Sequence, residues 1–410
     1  CFVKIRRLVL LLAVLALIAA GCGGDDDDDA TDAGTDDTTE DTADGGGECT
    51  LDEPIKIVGL AETTGEGAQA VPYYANGWEM GVEAVNEAGG ICGQDVEFER
   101  LPISPTDTAA AKNSYLQAVD AGADMILGIP SSTPIVALGA DIVNSGIPTI
   151  GFAAPGNVFK GAEGSVGGDN LFIIRPRNAG VGAAQAEYLV KTLGKKKIGL
   201  VCVNVTFGQQ GCDAAKPAIE EAGGEIVARE THEVTDTNLT TKVVALKNAG
   251  VEGIVAFTFP NTGVVLFNQM ADNDLNVPVI AGAVSALSIA TKNVQPAALA
   301  NVYGLDDCAP AVEERASEFN EAYQAKYSSA PTYSAAQAYD SLFIAKQVIE
   351  AAGSDEPGAI VEQLAELEYE GACTDYSADE GNGLAQTAVI ESFGEDGTPK
   401  VEENVDIPAT

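Results

Sequence analysis

Three hydroxyl side chains in a row, Ser131-Ser132-Thr133, follow the apolar stretch Leu127-Gly128-Ile129-Pro130 and precede Pro134. Hydroxyls and free backbone N–H groups at a helix start can hold a carboxylate, carbonyl or hydroxyl of a small molecule, because unpaired donors and the positive dipole end favour an acceptor. A capped strand-to-helix turn holding no ligand would carry the same residues. Bond-making chemistry has few candidates. The single histidine, His232, lies in the polar run Thr231-His232-Glu233 and reads as a solvated surface residue, and H-E-x-x-H, G-x-S-x-G and Walker patterns are absent. Gly180-Val181-Gly182 is half of a dinucleotide fingerprint, but Gln185 replaces the third glycine, so these are small residues opening a helix. Asp375 to Gly381 lacks the sixth-place glycine and twelfth-place glutamate of a calcium loop and reads as a turn. No catalytic residue, cofactor or metal is expected.

The elements that position the hydroxyl run can be read from periodicity. Thr133 suits an N-cap and Pro134 the first helical position, so an amphipathic helix through Ile135, Leu138 and Ile142 is expected to start there. Apolar strand-like runs occur at 55–60, 96–101, 125–129 and 149–152, with helical stretches between them. The pattern restarts with strands at 198–203, 224–228, 253–258 and 278–281, alternating with helices near 179–193, 209–222, 238–249 and 262–272. Helices near 311–327 and 334–352 follow. Such alternation predicts an α/β fold with doubly wound parallel sheets, and about 360 residues exceed one core, so two lobes are expected.

The first residues address export. Lys4, Arg6 and Arg7 precede thirteen apolar residues, Leu8 to Ala20, and Ala19-Ala20-Gly21-Cys22 follows the small-residue cleavage pattern. Thirteen residues are too few for an ordinary membrane span, which takes about twenty. Residues 1–21 are therefore read as a signal peptide. Residues 22–48 carry many Asp, Thr and Gly and no basic or large apolar side chain, and read as a disordered acidic tether. The chain's net charge is −40; leaving out the leader's three basic residues and the tether's twelve acids, residues 49–410 carry −31. A body so acidic excludes binding to nucleic-acid phosphates. Beyond Cys1 and Cys22, six cysteines remain: Cys49, Cys92, Cys202, Cys212, Cys308 and Cys373. An even number in an exported chain points to disulfides, with fifteen pairings open; no C-x-x-C supports zinc.

Several short stretches stand in an order that resembles the branched-chain-amino-acid type of solute-binding protein of ABC importers. They are Ile55 to Gly59 with Thr64-Gly65, Asn76-Gly77, Val85 to Ile91, Gly128 to Ser132, Gly146 to Ile150, Phe207-Gly208 and Ala338-Tyr339-Asp340. The resemblance covers residues 54 to 395. It implies a type I periplasmic-binding-protein fold: lobe 1 from 50–174 with 305–370, lobe 2 from 175–304 with 371–410, and three crossings near 174–176, 302–304 and 371–373. Ligand would sit in the interlobe cleft, beyond the carboxyl ends of the strands, and closure would bury it. The final residues of the leader resemble a lipobox, which implies a lipid on Cys22 and a place on the outer face of the membrane or in the periplasm. In this topology Cys49 pairs with Cys92 ahead of the first two strands, Cys202 with Cys212 from a strand to the next helix, and Cys308 with Cys373 at two late crossings.

Carried over position by position, the family pocket gives Ser132, flanked by Ser131 and Thr133, as the group that holds the ligand's carboxylate. Ala153 and Pro155 fall on a second loop, where Pro155 replaces a threonine and offers neither hydroxyl nor N–H. Phe207 takes the place of a pocket tyrosine, Phe259 lies near another, and Ala283 stands where an acidic residue would meet an ammonium. These departures favour a small acid, an amide or a relatively apolar metabolite over a standard branched-chain amino acid. The expected partners are that ligand and the permease subunits of an ABC importer, with the chain acting as a monomer. The alternative is a ligand sensor of the same fold working with a membrane signalling partner.

Overall fold

The structure is a computed structural model; it describes residue 49 and residues 51–63, 70–282, 293–394 and 397–407. The leader, Cys22, the whole tether and Ala283 lie outside the described residues.

Short aliphatic runs buried on both faces form four of the five strands of the first sheet, as expected for parallel strands covered by helices, and the edge strand Glu97–Ile103 is largely exposed. Its order is β2-β1-β3-β4-β5, all parallel, from β1 (Lys56–Glu62), β2 (Glu97–Ile103), β3 (Met125–Gly128), β4 (Thr149–Gly151) and β5 (Leu171–Ile173). Between these strands run α1 (Val71–Glu87), α2 (Thr108–Asp120) and α3 (Ser132–Ser145). The second sheet contains β6 (Lys197–Val203), β7 (Glu225–His232), β8 (Gly253–Phe257), β9 (Val279–Gly282), β10 (Val302–Asp306), β13 (Thr387–Phe393) and β14 (Pro399–Asp406). It is parallel through β10 and antiparallel at β13 and β14. Its helices include α4 (Asn178–Glu187), α5 (Thr206–Glu221), α6 (Thr240–Ala249), α7 (Pro260–Asp272) and the short α8 (Pro296–Leu299).

After β10 the chain returns to the first sheet. There α9 (Ser317–Tyr327), α10 (Tyr333–Ala352) and α11 (Pro357–Ala365) follow, and α10 lies against α1 so closely that a Cβ at Gly77 would stand 2.2 Å from the Ala335 carbonyl oxygen. Trp78, Phe152, Phe172 and Leu342 fill the core beneath them, and the Trp78 Nε1–H donates to Ser341 Oγ at 3.3 Å.

Four expectations need correcting. The second passage between lobes follows Asp306 and not 302–304, because Val302–Asp306 pairs along its length with β9. The third comes later than 371–373. Residues 375–377, read as part of a turn, form β12 (Asp375–Ser377), which pairs with β11 (Glu368–Glu370), and Tyr376, Leu384 and Ala385 are buried in the first lobe's core. His232 is not a surface residue: β7 continues past Ala228 opposite β6, so His232 pairs with Val203 and is buried. Burial lowers its pKa, and its Nδ1 lies 3.0 Å from the Glu233 carbonyl oxygen.

The sulfurs of Cys49 and Cys92, Cys202 and Cys212, and Cys308 and Cys373 are joined, with Cα separations of 5.1, 6.2 and 5.9 Å. The last pair closes the longest segment, 65 residues apart. Chain-entropy reasoning assigns such a cross-link about 4 kcal/mol. The Cys308→Ser, Cys373→Ser double variant is expected to lose that much in urea unfolding, and a midpoint unchanged from the native protein would show that the bond contributes nothing.

Candidate functional site

At the end of β3 the backbone takes a sharp left-handed course, with φ of 111° at Gly128 and 59° at Ile129. A Cβ at Gly128 would lie 2.2 Å from the Leu60 carbonyl oxygen, so glycine is required. Ile129, a β-branched residue in the left-handed region, stores strain of order 1–3 kcal/mol. It is held there by its N–H on Leu60 O (3.0 Å), by Phe152 N–H on Gly128 O (2.7 Å) and by full burial of its side chain. The turn delivers 131–133 to the carboxyl edge of the first sheet. The helix begins two residues earlier than expected, at Ser132, with Ser131 and not Thr133 as N-cap. Ser131 makes no side-chain cap; its hydroxyl bonds the Glu62 carboxylate instead.

The lips of the two lobes meet around this helix start. Asn178 Nδ2 donates to the buried Ser132 Oγ (3.3 Å), and the Thr133 and Thr206 hydroxyls are 3.4 Å apart. Beyond β4, Ala153 and Pro155 are buried, Asn178 N–H donates to Ala154 O (3.0 Å), and Gly156 N–H donates to Gln210 Oε1 (3.0 Å). On the second lobe Phe207 lies in the first turn of α5 and Phe259 caps α7. Their rings are 6.0 Å apart, and Phe207 also meets Phe257 edge-on at 5.2 Å. Both are half-buried, and Phe207 packs against the second lobe's core.

Two polar residues at the same edges were missed. Glu62 ends β1 after the apolar residues 57–61 and is only 2% exposed, and its Oε1 has no hydrogen-bond partner. Burial pushes its pKa up to about 7, opposed by the Ser131 hydroxyl. Gln185 is fully buried on α4 with both amide atoms unpartnered, and a Cβ at Gly282 would lie 3.7 Å from its Nε2 and 3.6 Å from Phe207 Cζ. A carboxylate ending an apolar strand and an amide on a helix's apolar face were the available signals. Each unsatisfied buried polar group calls for an explanation, and these two lie where the lobes meet.

Beside Glu62 stands Tyr74 of α1, its phenol pushed up to about 12 by burial, with Arg175, Ser334 and Asp307 around it. Arg175, just after β5, and Asp307, just after β10, form a two-pronged ion pair at 2.6 and 2.8 Å across two of the passages between lobes. Gln337 Nε2 also donates to Asp307 (2.6 Å), and the Tyr333 ring lies 4.7 Å from the guanidinium. Burial works against the Arg175 charge, yet the Asp307 carboxylate holds its pKa well above the usual range.

A profile of the family described as periplasmic binding protein matches residues 54–391. The chain belongs to that family. Leu/Ile/Val-binding protein homolog 3 of Brucella melitensis is 26% identical over 230 residues, 56% of this chain and 61% of that protein's length. Among solved structures, the branched-chain amino acid transporter substrate binding protein LivJ from Streptococcus pneumoniae, in complex with isoleucine, is 25% identical with a TM-score of 0.75, covering 87% of this chain and 99% of LivJ. An ABC-transporter solute binding protein from R. palustris, in complex with benzoate, is 17% identical with a TM-score of 0.77, covering 87% and 97%. This periplasmic binding protein thus has the type I fold of two α/β lobes. Its family and fold are those of transport proteins that bind solutes, and none of its described helices is long and apolar enough to cross a membrane.

Proposed function

We propose that this binding protein captures a small molecule between its lobes and delivers it to the permease subunits of an ABC importer, without bond chemistry. The observation that carries the reading is the mouth itself. Ser132 and Thr133 of one lobe hydrogen-bond Asn178 and Thr206 of the other, while Glu62 and Gln185 remain buried with polar atoms unpartnered. Such groups are satisfied at least cost by a ligand enclosed with them. Ser132 and the N–H groups at the start of α3 take an acceptor end of the ligand, with Ser131, Thr133, Ala153 and Pro155 around it, and Phe207 and Phe259 face its apolar body. Opening and closing proceed about the passages near Arg175 and Asp307. Export by residues 1–21, a lipid on Cys22, the tether 22–48 and action as a monomer on the outer side of the membrane belong to the same proposal.

Mass spectrometry of small molecules released on denaturing the purified protein tests it. One dominant compound is expected, and it should raise the melting temperature when added back. A protein that releases nothing and is stabilised by no member of a broad metabolite panel would overturn the proposal. Ser132→Ala is expected to weaken the identified ligand about tenfold in calorimetry, the worth of a hydrogen bond to a charged or strongly polar group. Unchanged affinity would remove the α3 turn from the site.

A further inference from the structure

Glu62 ends a buried strand beside the N-terminus of α3, with the Ser131 hydroxyl as its hydrogen-bond partner; that helix end favours an anion but carries only about half a positive charge. The Glu62 Oε1 has no partner, and no described lysine or arginine pairs with it. Arg175, which shares Tyr74 as a neighbour, is engaged through Nε and a terminal nitrogen by Asp307. The protein therefore supplies no cation for this carboxylate. A buried carboxylate without one is strongly disfavoured: the ligand-free protein relieves it by taking up a proton near neutral pH, whereas a bound cation relieves it with the carboxylate ionised, which a neutral donor does not do. The adjoining start of α3 is the opposite kind of surface, since its N–H groups seek an acceptor. Ser131 stands between the two as N-cap of α3 and hydrogen-bond partner of Glu62.

Resting on the solute-binding reading above, we infer that Glu62 is the anionic ligand contact and that the ligand carries a protonated amine, which Glu62 meets while the start of α3 takes the ligand's acceptor end. An amine neutralises the buried charge, satisfies Oε1 and is drawn towards a chain of net charge −40. A ligand bearing only an acid group would bring a second anion beside Glu62. This departs from the sequence-based expectation of a small acid, an amide or a relatively apolar metabolite, which rested on the absence of an acidic group at Ala283: here Glu62 supplies that group from the other lobe.

The test uses the whole protein with matched probes, isoleucine against 3-methylpentanoate and 4-(aminomethyl)benzoate against 4-methylbenzoate, together with the identity of the released compound. The released compound is expected to contain a basic nitrogen, and in thermal-shift titration at least one amine is expected to bind ten times or more tightly than its des-amino partner. Glu62→Gln, nearly the same in shape, should abolish that preference and leave binding of the des-amino probe equal or tighter. A folded Glu62→Gln protein that retains the amine preference, or a released compound without basic nitrogen, overturns the inference while sparing solute binding. If no compound is released and no probe binds the native protein, both the inference and the solute-binding proposal fail.

Discussion

Asp307→Ala is expected to destabilise the protein by about 3–5 kcal/mol, the cost of leaving a buried charge unpartnered. The carboxylate is buried and accepts from Arg175 twice and from Gln337 once, so its removal strands a guanidinium and an amide whose Oε1 already lacks a partner. Equilibrium urea unfolding checks this, and a midpoint within experimental error of the native value would refute it. Because Arg175 and Asp307 sit on two different passages between the lobes, the variant should also show a wider distribution of lobe orientations in solution scattering. Replacing both partners together with Arg175→Met and Asp307→Leu should cost less than Asp307→Ala alone, since a buried pair exchanged for apolar groups removes the desolvation burden with the attraction.

Stability of the ligand-free protein is expected to rise as pH falls from 8 to about 6, the reverse of ordinary acid denaturation. Glu62 and Asp340 are both pushed up to about 7 by burial, in Asp340 against the Ala372 N–H (2.9 Å) and the Tyr376 hydroxyl (3.0 Å). Burial and the neighbouring Asp306 raise Glu391 as well. A raised carboxyl pKa means that the native state holds a proton which the unfolded chain releases above its ordinary value near 4. The native state is thus penalised in full above pH 7 and relieved as pH drops through 7 towards 4. By pH 5.5 the relief is roughly 2 kcal/mol for each of Glu62 and Asp340. His232 works the other way below about pH 6.5, because its lowered pKa keeps the folded form neutral where the unfolded form binds a proton. The rise should therefore flatten towards pH 5.5. Asp340→Asn should remove its share of the slope, and a native urea midpoint that falls steadily from pH 8 to 6 would refute the assignment.

The turn at 128–133 was legible because it needs only local information. An apolar run ending in Gly128, followed by three hydroxyls and an amphipathic stretch, marks a strand passing into a helix. The N-cap was misplaced because Ser131 and Thr133 are equally good capping residues. What decided between them is the contact of Ser131 with Glu62, 69 positions away in the chain.

By itself, the sequence determined the alternation of strands and helices, the division into two lobes and the position of the turn at 128–133, since burial periodicity is a property of each segment. Only the tertiary structure decided that Glu62 and Gln185 are buried without partners and that Arg175 finds Asp307. It likewise decided that His232 joins a strand and that residues 375–385 stay with the first lobe. Those outcomes depend on which distant backbone approaches a given side chain, and hence on whether water or another group meets its polar atoms. Periodicity along one segment carries no record of that.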